Sequence, residues 1–165
     1  LTPFYYTIVT VHVLAALVWL GGMFFLALVG APVLRTVDSP ALRRELFRRL
    51  GSHFRTVGWA SIVVLVTTGL LSLRARGVLS LDVLTSREFW ATTWGTRLAW
   101  KLALVVTMVA IQAVHDFVHG PAASRLEPGS PEARHMRWWA SWMARFNALL
   151  GVALVYVAVR LARGG

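Results

Sequence analysis

The chain has 165 residues, of which 57% are hydrophobic and only 15% charged, with no cysteine and a formal net charge of +10. Soluble domains run at ~45–50% apolar and ~25% charged, so intrinsic disorder is excluded and a water-soluble globule is disfavoured. The lack of cysteine excludes disulfides, thiolate metal sites, iron–sulfur clusters and thiol nucleophiles. In so apolar a chain the basic excess points to anionic lipid headgroups rather than nucleic acid.

The first charged residue is Arg35. Such an uncharged run exceeds the ~18 residues that suggest a membrane span. It also lacks the basic start of a signal peptide and is too long for one. It predicts a first span over 4–34, closed by Pro32. Ser39-Pro40 then reads as a helix start, a Ser cap with Pro at the first helical position. Leu42, Leu46, Phe47 and Leu50 share one helical face, and Arg43, Arg44, Arg48 and Arg49 the other. That pattern predicts an amphipathic interfacial helix running into a second span over 54–74. The connection after it holds Trp90 and Trp94, residues suited to an interfacial aromatic belt. A third span is expected over 96–118, where Lys101 is the only Lys, Arg, Asp or Glu between 98 and 115. A turn-rich loop follows near Gly120-Pro121 and Pro128-Gly129. Ser130-Pro131-Glu132 opens the last helix, Trp138, Trp139 and Trp142 mark the interface, and a fourth span is expected over 137–162. Alternating segments of the kind a barrel needs do not recur. The expectation is an all-α integral membrane four-helix bundle, one domain over 1–165.

The first and third connections carry Arg35, Arg43, Arg44, Arg48, Arg49, Arg55, Arg125, Arg134 and Arg137. The other side carries Arg74, Arg76, Arg87, Arg97, Arg160 and Arg163. Positive charge stays on the cytoplasmic side. The first and third connections are therefore expected inside, both termini outside, and the chain in a bacterial cytoplasmic membrane.

Ionisable groups within spans are costly and mark function. No Asp or Glu falls within an apolar core, and Asp116 stands at the end of the third span, so two-carboxylate chemistry is disfavoured. His12, Trp19 and Met23 share one face of the first span, beside Gly21 and Gly22. Lys101, Met108, Gln112, His115 and His119 fall at offsets 0, +7, +11, +14 and +18, one stripe on the third. Bland alternatives stand beside each: a packing histidine at His12, snorkelling at Lys101, loop histidines at His119 and His135. Neutral imidazole ligates haem iron, and haem is apolar enough for a helix bundle. On that reading haem b takes His115, with His53 as second ligand and His119 in reserve. Lys101 and Arg145 supply cations to its propionates. Copper competes, since imidazole with Met23, Met108 or Met143 suits Cu(I). A cofactor-free structural subunit is the third class.

The segment His12 to Gly22, a His six residues ahead of a Trp-x-Gly-Gly, resembles the first-helix signature of the copper resistance D (CopD) family. Gly95-Thr96-Arg97-Leu98-Ala99-Trp100-Lys101-Leu102-Ala103-Leu104 is similar to that family's Gly-Arg-x-Leu-x-x-Lys-Leu-x-Leu segment. The run from Phe54 to Thr67-Thr68-Gly69-Leu70 resembles its second helix. HemJ, the membrane protoporphyrinogen oxidase family, shares a related His-x6-Trp-x-Ala-Gly and a helix with Lys followed by His. Both resemblances imply a four-helix unit with His12 and Lys101 as functional positions. Trp19, inside the same motif, stands with them toward a cofactor. Expected metal ligands are His12, His53 and His115. The implied activities are copper handling, or redox chemistry on haem with a quinone or porphyrin as substrate. Expected partners are anionic lipid headgroups, a quinone or redox protein, and a homo-oligomer or larger membrane complex.

Overall fold

The structure, a computed structural model, describes residues 3–119, 126 and 130–163, with the side chain of Arg137 excepted. The expected turn-rich loop and Arg125 lie outside the described residues. Among those described there is helix and no strand. Six helices follow in order: α1 (Pro3–Arg35), α2 (Pro40–Ala75), α3 (Leu81–Thr85), α4 (Arg87–Ala91), α5 (Thr93–His119) and α6 (Pro131–Ala162). Four of them, α1, α2, α5 and α6, are long and apolar enough to cross a membrane. The chain divides into two units, Leu1–Ser86 and Arg87–Gly165, each built on one pair of long helices.

Helix ends follow the local chemistry. The Ser39 and Ser130 hydroxyls accept from the Leu42 and Ala133 amides at 3.3 and 3.1 Å, each followed by Pro in the first turn. Thr92 caps α5 by accepting from Gly95 N at 3.0 Å. Pro32 does not close α1. The helix carries on to Arg35, and the turn before the proline, Leu26–Gly30, widens to a π-helix. A proline has no amide to donate and its ring crowds the preceding turn, so the ladder changes register just upstream. The end of α2 is set by Gly77 at φ +72°. Val78 N donates to Leu73 O at 3.0 Å and Gly77 N to Arg74 O at 2.9 Å, the paired bonds of a glycine-terminated helix.

In the first unit α1 and α2 run antiparallel along a seam of period 3.5. Tyr5, Ile8, His12, Ala15, Trp19 and Gly22 on α1 alternate at spacings of three and four, the geometry of a left-handed helix pair. A ring from one helix repeatedly sits on a glycine of the other. A Cβ on Gly22 would overlap the Phe54 ring, one on Gly58 would meet Trp19 at 3.8 Å, and one on Gly69 would meet His12 at 3.5 Å. Small residues let helix backbones approach where water supplies no driving force. Gly21, expected to share this role, meets nothing within 4 Å. The outward faces are apolar instead, with Leu17, Val63, Val106 and Leu149 all more than 60% exposed. In water such faces would aggregate; in lipid they are solvated.

Candidate functional site

His12 lies in the α1–α2 seam, half-buried over Gly69. Its Nδ1 is 2.8 Å from Thr68 Oγ1. Thr68 has one hydroxyl proton, and that hydroxyl lies 2.6 Å from the Val64 carbonyl, which can only accept. Thr68 therefore accepts from His12, and Nδ1 is the protonated nitrogen. In the neutral ring the lone pair then sits on Nε2. The bond is the packing contact of an ordinary core histidine, and it also fixes the tautomer that a metal ligand requires. Trp19, seven residues on, is buried at 2% exposure against Gly58. Its indole N–H has no hydrogen-bond partner among the described residues. Its packing, rather than a polar contact, holds the seam.

In the second unit the stripe on α5 becomes its buried face. Leu98, Met108, Gln112 and Asp116 are buried, Met108 completely, and Lys101 is half-buried among them. Asp116 is 8% exposed. Gln112 Nε2 donates to its Oδ2 at 2.8 Å, and His115 Nδ1 donates to its Oδ1 at 3.0 Å. His115 is thus oriented by a carboxylate, which in the neutral ring puts the lone pair on Nε2, and its side chain is 41% exposed. These residues lie where α5 changes to a π-helix over Val114–His119. The wider turn departs from the simple α-helical stripe, placing Asp116 inward and His115 toward the edge. Sequence reasoning treated Asp116 as the end of a span and missed this cluster. A glutamine four residues ahead of an aspartate on one helical face was the available signal.

Of the remaining positions, His119 is half-buried and His53, Arg145 and His135 are exposed. His53 is exposed on α2, its Nδ1 donating to Arg49 O at 2.9 Å. Fifteen residues of helix, ~22 Å, separate it from Thr68, so His12 and His53 are not one site. Lys101 and His115 are likewise ~20 Å apart along α5. His119 Nδ1 is 3.4 Å from Val114 O. Arg145 is exposed and lies 5.4 Å from the Trp142 ring centre. His135 accepts from Trp139 Nε1 at 3.1 Å and stacks on Trp138. Among the described residues no three His, Cys, Asp or Glu side chains gather as a metal cluster. On the basic first part of α2, Glu45 takes 2.6 Å bonds from both Arg48 and Arg49. These bonds hold its carboxyl well below the ordinary value of 4.5, at about 2.

Residues 48–161 match the model of the copper resistance protein D family. The match takes in the last part of the basic helix segment and the second to fourth spans, and with them Lys101 and the Gln112–His115–Asp116 cluster. His12 stands ahead of it. The chain is 33% identical over 156 residues to an uncharacterized protein of Aquifex aeolicus (strain VF5), covering 93% of this chain and 92% of that protein. No solved structure matches.

Proposed function

The chain belongs to the copper resistance protein D (CopD) family of membrane proteins, and from that footing we propose that it handles copper within the bilayer, taking Cu(I) as cargo. The observation that supports this is the His12–Thr68 bond, which leaves the lone pair of an intramembrane imidazole on Nε2. Soft Cu(I) accepts imidazole and thioether at low coordination number, so it does not need a cluster of three donors. Met23, eleven residues beyond His12 on the same helix, offers a thioether further along the path. The test is Cu(I) uptake by vesicles carrying the full chain. His12→Ala should abolish uptake above empty vesicles and Met23→Leu should slow it. Uptake by the His12→Ala protein equal to the unaltered one sinks the reading.

The same proposal sets the protein in a bacterial cytoplasmic membrane with the first and third connections inside, on the nine-to-six arginine asymmetry. A single cysteine at position 39 should resist an impermeant label added to intact cells. Ready labelling reverses the orientation.

A second reading, haem b held by His115, draws on the Asp116 bond. A carboxylate on Nδ1–H is the arrangement that orients an imidazole and raises its basicity toward a metal. Bound haem would supply one-electron redox chemistry. His53 and His119 carry further imidazoles suited to the same chemistry, and Arg145 carries a charge of the kind its propionates require. A Soret band in the purified protein, lost in His115→Ala, would favour this reading over copper.

A further inference from the structure

At the start of α5 and the end of α6 lies an open groove of about 230 Å³, lined by Arg97, Trp100, Tyr156, Val157 and Arg160. Arg97 is the fifth residue of α5, and Arg160 is the third from the end of α6. Both therefore stand where a spanning helix leaves hydrocarbon for headgroups. Neither arginine forms an ion pair with a carboxylate among the described residues. Arg97 Nη1 donates to Arg160 O at 3.3 Å, which ties the first turns of α5 to the last carbonyls of α6. Arg160 Nη1 is 3.4 Å from the Tyr156 hydroxyl, with its guanidinium 6.0 Å from that ring's centre. These are weak contacts for two guanidiniums, which offer five donors each.

We propose that this groove binds the phosphate of an anionic phospholipid. Two cations in one recess without a carboxylate call for an anion, and guanidinium forks suit phosphate oxygens. Trp100 is 63% exposed and Tyr156 62% exposed, and both line the recess. Such amphipathic rings settle at headgroup level, where they would flank the glycerol and upper acyl chain. The surroundings favour a lipid over a free phosphate because the walls of the recess are mostly aromatic and aliphatic carbon. This site does not depend on copper or haem.

The test uses the purified full-length chain in neutral detergent, with phosphatidylglycerol and phosphatidylcholine as probes and native mass spectrometry as the readout. The unaltered protein should retain phosphatidylglycerol preferentially. At about 1 kcal/mol per arginine near a membrane surface, Arg97→Gln with Arg160→Gln should cut that preference about thirtyfold. Arg160→Gln alone, which spares the backbone contact made by Arg97, should cut it in part and keeps the test valid if the double variant misfolds. Arg163→Gln, which removes a neighbouring charge outside the groove, should leave it. An unchanged preference in the Arg160→Gln protein overturns the site, as does an equal loss in Arg163→Gln. Displacement of the lipid by inorganic phosphate would overturn the lipid assignment in favour of a free anion.

Discussion

Thr68 gives its hydroxyl proton to the Val64 carbonyl, and in doing so fixes the protonated nitrogen of His12 on the facing helix. The consequence is testable at one atom. Thr68→Val keeps the shape and removes the acceptor, so Nδ1–H loses its partner. The seam should weaken by about 1 kcal/mol. Metal affinity should fall at least tenfold, as is common when an orienting partner is lost. Nitrogen NMR of the labelled ring should show the Nε2–H tautomer rising, and Thr68→Ser should restore the original form. A Cu(I) competition titration giving equal affinities for Thr68→Val and the unaltered chain would detach His12 from the metal.

Adjacent glycines should behave differently. Gly22→Ala places a methyl group where the Phe54 ring lies, and overpacking of this kind costs ~1–3 kcal/mol. Gly21→Ala meets open space and gains helix propensity. Thermal unfolding of the full chain in detergent should therefore rank Gly21→Ala at or above the unaltered protein and Gly22→Ala below both.

Asp116 should prove structural and orienting at once. Asp116→Ala leaves Gln112 and His115 without the acceptors they now use, at about 1–3 kcal/mol for the buried Gln112 donor, while the part-exposed His115 can turn to other partners. Asp116→Asn preserves size and one acceptor oxygen, and should recover most of the stability. It should also allow His115 to exchange tautomers, which the same nitrogen NMR would detect.

The basic part of α2 makes a prediction about pH. Arg48 and Arg49 lower the Glu45 carboxyl to about 2 in the folded chain, against 4.5 in the ordinary state. A depressed carboxyl stabilises the fold above the ordinary value, and that contribution is lost as pH falls from about 4.5 through about 2. The pair lies at the surface, with both arginines well exposed, so salt should erode the effect. The Glu45 carboxyl resonance should titrate near 2 at low salt. In Arg48→Ala with Arg49→Ala it should return toward 4.5.

The parts of this fold that were legible in the sequence are local ones. Apolar runs with few or no charges set four spans, and Ser-Pro pairs at 39–40 and 130–131 marked helix starts within a residue. The face shared by His12 and Trp19 is real because helical period alone determines it. The glycine seats at Gly58 and Gly69 were not legible, since they depend on the register between segments some forty to sixty residues apart. Asp116 was misjudged for a related reason. Its spacing of four from Gln112 puts the two on one face, but the change from α to π winding that turns it further inward and His115 to the edge is absent from a stripe drawn at 100° per residue. The fold class, an all-helical chain with four candidate spans, follows from where the apolar runs and charges fall along the chain. The pairing of Nδ1 with Thr68 follows only from the seam.

The second long helix is a single rod of 36 residues, ~54 Å from Pro40 to Ala75, with no proline or π-turn inside it. Hydrocarbon is only ~30 Å thick, so the rod must tilt or extend well past it. Glu45 and its arginines stand at one end, and Thr68 stands some 35 Å along the same shaft. Uninterrupted helices curve only gently. A change in bilayer thickness or surface charge that tips the arginine end therefore reaches Thr68 as leverage. The imidazole held there rides on a beam whose fulcrum is the membrane.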